Sequence, residues 1–159
     1  MRVKKLNKRE VERILRKIKE RFGCLVDPSG YSFYITNKGR IFLCTRGVSN
    51  LFSLKRGRVE GLGLYFAFLT HRNEIRLSVE GSQIIFPRAK KNIFYATNKQ
   101  ILSWIRGFDL DLEQNMDDLE PGFVLIVYKN DCFGCGRFTG SRIINYVRKS
   151  RRIINLKEV

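Results

Sequence analysis

The sequence predicts an α+β protein, with an N-terminal mixed α/β domain over residues 1–88 and a small C-terminal β pseudo-barrel over residues 89–159. Three observations carry that prediction. One long stretch has helical periodicity, the apolar runs that follow are short and separated by turn residues, and the polar segment Pro87-Arg88-Ala89-Lys90-Lys91-Asn92 interrupts the pattern midway. A chain of 159 residues can bury a real core, and 43% apolar content with 12% aromatic residues excludes wholesale disorder.

Asn7 to Phe22 opens with Asn7 and Glu10 at capping-box spacing and sets Val11, Ile14, Leu15, Ile18 and Phe22 on one face, a helix ending near Gly23. Its other face carries Arg9, Arg13, Arg16, Lys17, Lys19 and Arg21 with Glu12 and Glu20 among them, which reads as a solvated face ahead of a direct RNA contact. After the Asp27-Pro28-Ser29-Gly30 turn, Tyr31 to Thr36 and Arg40 to Thr45 read as a hairpin across Asn37-Lys38-Gly39. Val48 to Leu54 reads as one or two helical turns. Leu62 to Leu69 and Glu74 to Ser78 form a second hairpin, and Val79 to Phe86 fits either a turn of helix or a strand.

Beyond the polar segment, Ile93 to Ala96 is a short strand. Thr97 and Gln100 repeat the capping-box spacing before a short helix, Lys99 to Ile105, stopped by Gly107. Six acids gather in a polar loop from Asp109 to Glu120. Phe123 to Tyr128, Cys132 to Phe138 and Ile143 to Val147 are then three short strands with tight turns, the pattern of a small barrel.

The net charge of +16, from 31 Lys and Arg against 15 acids, points to a polyanionic partner, nucleic acid ahead of an anionic membrane. The longest apolar runs fall far short of a membrane span and no secretory leader pattern opens the chain, so a cytoplasmic, soluble monomer is expected. Of four cysteines only Cys132 and Cys135 form a C-x-x-C pair, and a structural zinc site needs two further ligands. Three positions apart in a strand, they point to opposite faces, and burial as small hydrophobes is the better reading. Neither a cofactor nor a metal is expected. Asp109, Asp111, Asp117 and Asp118 match no calcium-loop spacing, and His71 has no evident catalytic partner.

Several segments resemble a PUA domain, the small pseudo-barrel found in many RNA-modifying enzymes and ribosome-biogenesis factors. They are Arg106-Gly107-Phe108-Asp109-Leu110 after a helix, Gly122-Phe123-Val124-Leu125-Ile126-Val127, and Phe133-Gly134-Cys135-Gly136. Leu62-Gly63-Leu64-Tyr65-Phe66 and Ile75 to Gln83 are similar to the segment before that domain in two groups. One is the two-domain PUA protein of large-ribosomal-subunit biogenesis; the other is the C-terminal region of archaeal Sun/Fmu-type RNA cytosine-5 methyltransferases. The chain has no Pro-Cys dipeptide and no glycine-rich cofactor loop, so the resemblance implies their RNA-binding appendage and not their catalysis.

The RNA-binding candidates are Arg137, Arg142, Tyr146, Arg148, Lys149, Arg151 and Arg152, joined through the resemblance by Arg106 and Gly107. Arginine and lysine neutralise phosphates with release of counterions, and an exposed aromatic stacks an unpaired base. No catalytic residue is assigned. The expected function is binding of rRNA or tRNA in ribosome biogenesis, or as a targeting subunit with an RNA methyltransferase or pre-ribosomal proteins as partners. The alternatives are an RNA-modification enzyme or accessory subunit, and a protein-interaction adaptor using the acidic loop or the first helix.

Overall fold

A computed structural model of the chain describes residues 3–47, 62–113 and 116–155; the helical turns expected at 48–54 lie outside the described residues. Two five-stranded sheets and three α-helices organise the described chain, an α+β architecture in which one sheet curls into a half-barrel.

The first sheet is an antiparallel meander in chain order: β1 (Val3–Lys5), β2 (Tyr31–Thr36), β3 (Arg40–Thr45), β4 (Leu64–Leu69) and β5 (Ile75–Leu77). Both expected hairpins form. β1 was not foreseen; it is three residues long and carries Lys4 and Lys5, a composition that blunts an exposed sheet edge. Helix α1 (Lys8–Phe22) starts with the Asn7/Glu10 capping box fully made and ends at Gly23 in the left-handed conformation. It buries Val11, Ile14, Ile18 and Phe22. The ambiguous stretch after Ser78 resolves as helix α2 (Val79–Ile85), because the Ser78 side chain accepts from the Gly81 amide as an N-cap.

The second sheet has the spatial order β6 (Ile93–Tyr95), β8 (Gly122–Tyr128), β9 (Asp131–Phe138), β10 (Arg142–Ile144) and β7 (Leu110–Asp111), with β6 parallel to β8 and the remaining pairs antiparallel. Helix α3 (Asn98–Ile105) follows β6 behind the Thr97/Gln100 capping box. The acidic segment expected to be loop holds β7, which pairs Leu110 and Asp111 with Ile143 and Arg142. Leu110 and Leu119 are buried there, so the segment closes the barrel as well as carrying acids. The expected strand to Val147 stops at Ile144. The Asn145 side chain takes over, donating to the Trp104 and Phe108 carbonyls while its amide N–H donates to Asp109.

β8 is an interior strand of this sheet, between β6 and β9. Val124, Leu125, Ile126 and Val127 are all 0% exposed, as in a strand covered on both faces. By strand alternation Phe123, Leu125 and Val127 enter a core shared with α1 and the first sheet, while Val124 and Ile126 enter a second core with α3, β7 and β10. Each such side chain stabilises the fold by about 1.5–3 kcal/mol, and β8 lies between the two cores. The polar segment between them is docked as well: the Lys90 amide donates to the Phe22 carbonyl at 2.8 Å, and buried Asn92 donates to the Arg21 carbonyl at 2.7 Å. Arg21, expected on the solvated face of α1, is half-buried. It donates to the Phe123 carbonyl at 2.5 Å and the Glu120 carbonyl at 2.6 Å, across the junction of the two sheets.

The expectation that Cys132 and Cys135 face opposite ways is corrected by a β-bulge. On β8 Leu125 and Val127 are two residues apart, whereas their partners Cys135 and Cys132 on β9 are three apart. Gly134, at φ +121°, absorbs the extra residue, and both thiols fall into the same core. The bulge and the bare Cα of Gly136 make room for Trp104 of α3. A Cβ on Gly136 would come within 2.8 Å of the indole, whose Nε1–H donates to the Phe133 carbonyl at 3.0 Å.

Candidate nucleic-acid interface

The end of α3 and the chain's basic tail meet at Gly107. Gly107 lies at φ +93°, where a side chain is strained, and its N–H donates to the Trp104 carbonyl at 2.9 Å. A Cβ there would collide with the Arg152 guanidinium, which lies across the glycine and donates from Nε to the Val147 carbonyl at 3.0 Å. The tail is held alongside by the Ile153 amide, bonded to the Ile105 carbonyl at 3.0 Å.

Arg106, Phe108, Lys149, Arg152 and Ile154 line one shallow depression around this turn. Phe108 is 63% and Ile154 73% exposed, so an aromatic and an aliphatic surface lie open among three cations. Arg106 Nε is buried and has no hydrogen-bond partner among the described residues. Cations that take phosphates around a ring that stacks a base are what a single-stranded RNA contact requires.

The other tail residues are placed differently. Arg137 forms a forked pair with Glu74, at 2.8 and 3.3 Å, and this hydrogen bonding raises its pKa. Arg142 donates from Nε to Asp111 at 2.7 Å and has Asp109 at 3.9 Å; the bond to Asp111 raises its pKa and lowers that of Asp111. A phosphate at either position competes with a carboxylate already in place. Tyr146, Arg148 and Arg151 turn away from Gly107 into a cleft against the first sheet, with Tyr65, Arg76 and Glu80 opposite. There the Arg76 guanidinium carbon lies 4.9 Å from the Phe68 ring centre and 4.4 Å from that of Tyr146. Arg148 covers the Tyr65 ring at 4.9 Å, and Arg151 is paired with Glu80.

The structure thus gathers Arg106, Gly107, Lys149 and Arg152 into one face, Tyr146, Arg148 and Arg151 into a second, and leaves Arg137 and Arg142 in ion pairs. Phe108, Tyr65 and Arg76 were missed by sequence reasoning. Phe108 sits inside the quoted Arg106 to Leu110 motif and was within reach, whereas Arg76 and Tyr65 come from the first sheet and carry no sequence signal linking them to the tail.

A mixed pseudo-barrel with a glycine turn after its helix, packed through a Gly-x-Gly strand, defines a PUA-type domain. Residues 91–153 match the family model of the methyltransferase RsmF PUA domain, consistent with a PUA domain in that part of the chain. No curated protein matches the chain. The domain supports RNA binding, in a context related to RNA methyltransferases.

Proposed function

We propose that the protein is a non-catalytic, cytoplasmic RNA-binding factor for rRNA or tRNA. It acts in ribosome biogenesis or as the targeting subunit of a separate RNA-modifying enzyme. The observation that carries this reading is the face at Gly107, where Arg106, Lys149 and Arg152 surround exposed Phe108 on a PUA domain. Phosphates would sit on the cations and an unpaired base on Phe108.

Binding of this kind is dominated by counterion release. With roughly five phosphate contacts, affinity for bulk tRNA or rRNA falls about a hundredfold between roughly 50 and 200 mM salt. A filter-binding titration reads this directly, and the Phe108→Ala/Lys149→Ala variant, altered only at exposed side chains, binds about tenfold or more weakly. A flat salt response, or no RNA affinity, overturns the reading.

A further inference from the structure

The cleft between the two sheets is distinct from the Gly107 face and has its own chemistry. It encloses about 160 Å³. A cavity of about 150 Å³ holds one benzene molecule, so the space suits a single six-membered ring rather than a purine. Arg76 is held between two rings and forms a fixed cationic wall. The exposed Arg148 only covers Tyr65. A base arriving on that tyrosine displaces the guanidinium from the ring and leaves it free for the attached phosphate.

The remaining wall has polarity. Glu80, with a side chain 25% exposed, is an acceptor, and its partner Arg151, 52% exposed, a donor. Cytosine presents an amino group beside two acceptors on its pairing edge, which matches a carboxylate beside a guanidinium. With the ring on Tyr65 and the phosphate on Arg148 fixing the register, uracil would set its O4 carbonyl against the carboxylate and its N3–H donor against the guanidinium.

We propose that this cleft receives one unstacked cytosine of single-stranded RNA, its base against Tyr65 and Tyr146, its amino group on Glu80, and its phosphate on Arg148. The assignment rests on the RNA-binding reading above and adds a base-specific site that the Gly107 face does not provide.

The test uses the full chain and three oligoadenylate probes, one unsubstituted and two with a single central cytidine or uridine, followed by fluorescence anisotropy. The cytidine probe binds about tenfold tighter than the other two. Glu80→Gln, whose amide both accepts and donates, levels cytidine and uridine, and Arg148→Ser, at an exposed site, brings the cytidine probe down to the adenylate value. A 5-iodocytidine probe crosslinks to Tyr65 or Tyr146. Equal affinities for the three probes, or crosslinks confined to Phe108, with binding to bulk tRNA and rRNA intact, overturn the cytosine site and leave the RNA-binding reading standing. Loss of binding to bulk RNA as well overturns both.

Discussion

Asn92 shows how single residues hold this molecule. It is 1% exposed, adopts φ +57°, and bonds the Arg21 carbonyl, the Glu120 amide and, through its own carbonyl, the Leu125 amide, so one side chain and its backbone join α1, the linker and β8. The two capping boxes, Asn7/Glu10 and Thr97/Gln100, were legible because their partners lie three residues away; Asn92 and Asn145 were not, because their partners are distant backbone groups. The thiols are a second residue-scale case. Burial pushes Cys132 up to about 11 and Cys135 up to about 12 from an ordinary value of 9.0. The native state therefore keeps both protons where the unfolded chain releases them. The difference is nil below pH 9.0 and grows as pH rises toward the native values, so stability falls across that window. Urea denaturation at stepped pH is expected to show a shallower alkaline loss in Cys135→Ala than in the parent chain, and native protein at pH 8 leaves both thiols unlabelled by a thiol reagent. Rapid labelling without denaturant contradicts the burial argument.

At the scale of elements, β8 and β9 decide how α3 is seated. The apolar run from Phe123 to Val127 was readable as a strand. That it is buried on both sides was not, since it follows from α1 packing over one face and α3 over the other. The Gly-x-Gly step was legible as a structural signature, yet only the bulge explains why two glycines are needed. Gly134 takes the positive φ, and Gly136 gives space to Trp104 and Ile143. Two alanine substitutions separate seating from binding. Gly136→Ala overpacks the core, with its Cβ 2.8 Å from the indole and 2.5 Å from an Ile143 methyl, and costs about 1–3 kcal/mol in thermal or urea unfolding. The fraction that folds keeps its RNA affinity. Gly107→Ala costs about 1–2 kcal/mol from backbone conformation and also displaces Arg152, so RNA affinity falls about tenfold or more in the same anisotropy assay. Equal effects of both on affinity contradict this division of roles.

The two sheets depend on each other across the whole molecule. The sequence placed a polar segment between two regular regions and read it as a boundary, because composition reveals where a chain is polar and not what it docks against. In the structure, ion pairs and stacks cross the junction: Arg137 with Glu74, Arg151 with Glu80, Arg148 on Tyr65. Beneath them Phe123, Leu125, Val127, Cys132 and Cys135 are buried in a core whose other members come mainly from α1, α2 and the first sheet. Cut free, residues 89–159 would expose that face to water. Leaving three large apolar side chains and two thiols unburied removes on the order of 5–10 kcal/mol, comparable with the whole stability of a small domain at about 5–15 kcal/mol. A fragment of residues 89–159 is therefore expected to lack a dispersed amide spectrum and to bind a hydrophobic dye, while the full chain unfolds in one cooperative transition with the two sheets melting together. A dispersed spectrum and a sharp melt from the fragment would show that the crossing contacts orient the sheets without being needed to fold them. The cleft proposed for cytosine would then be lost on cutting the chain, while the Gly107 face kept its affinity for RNA.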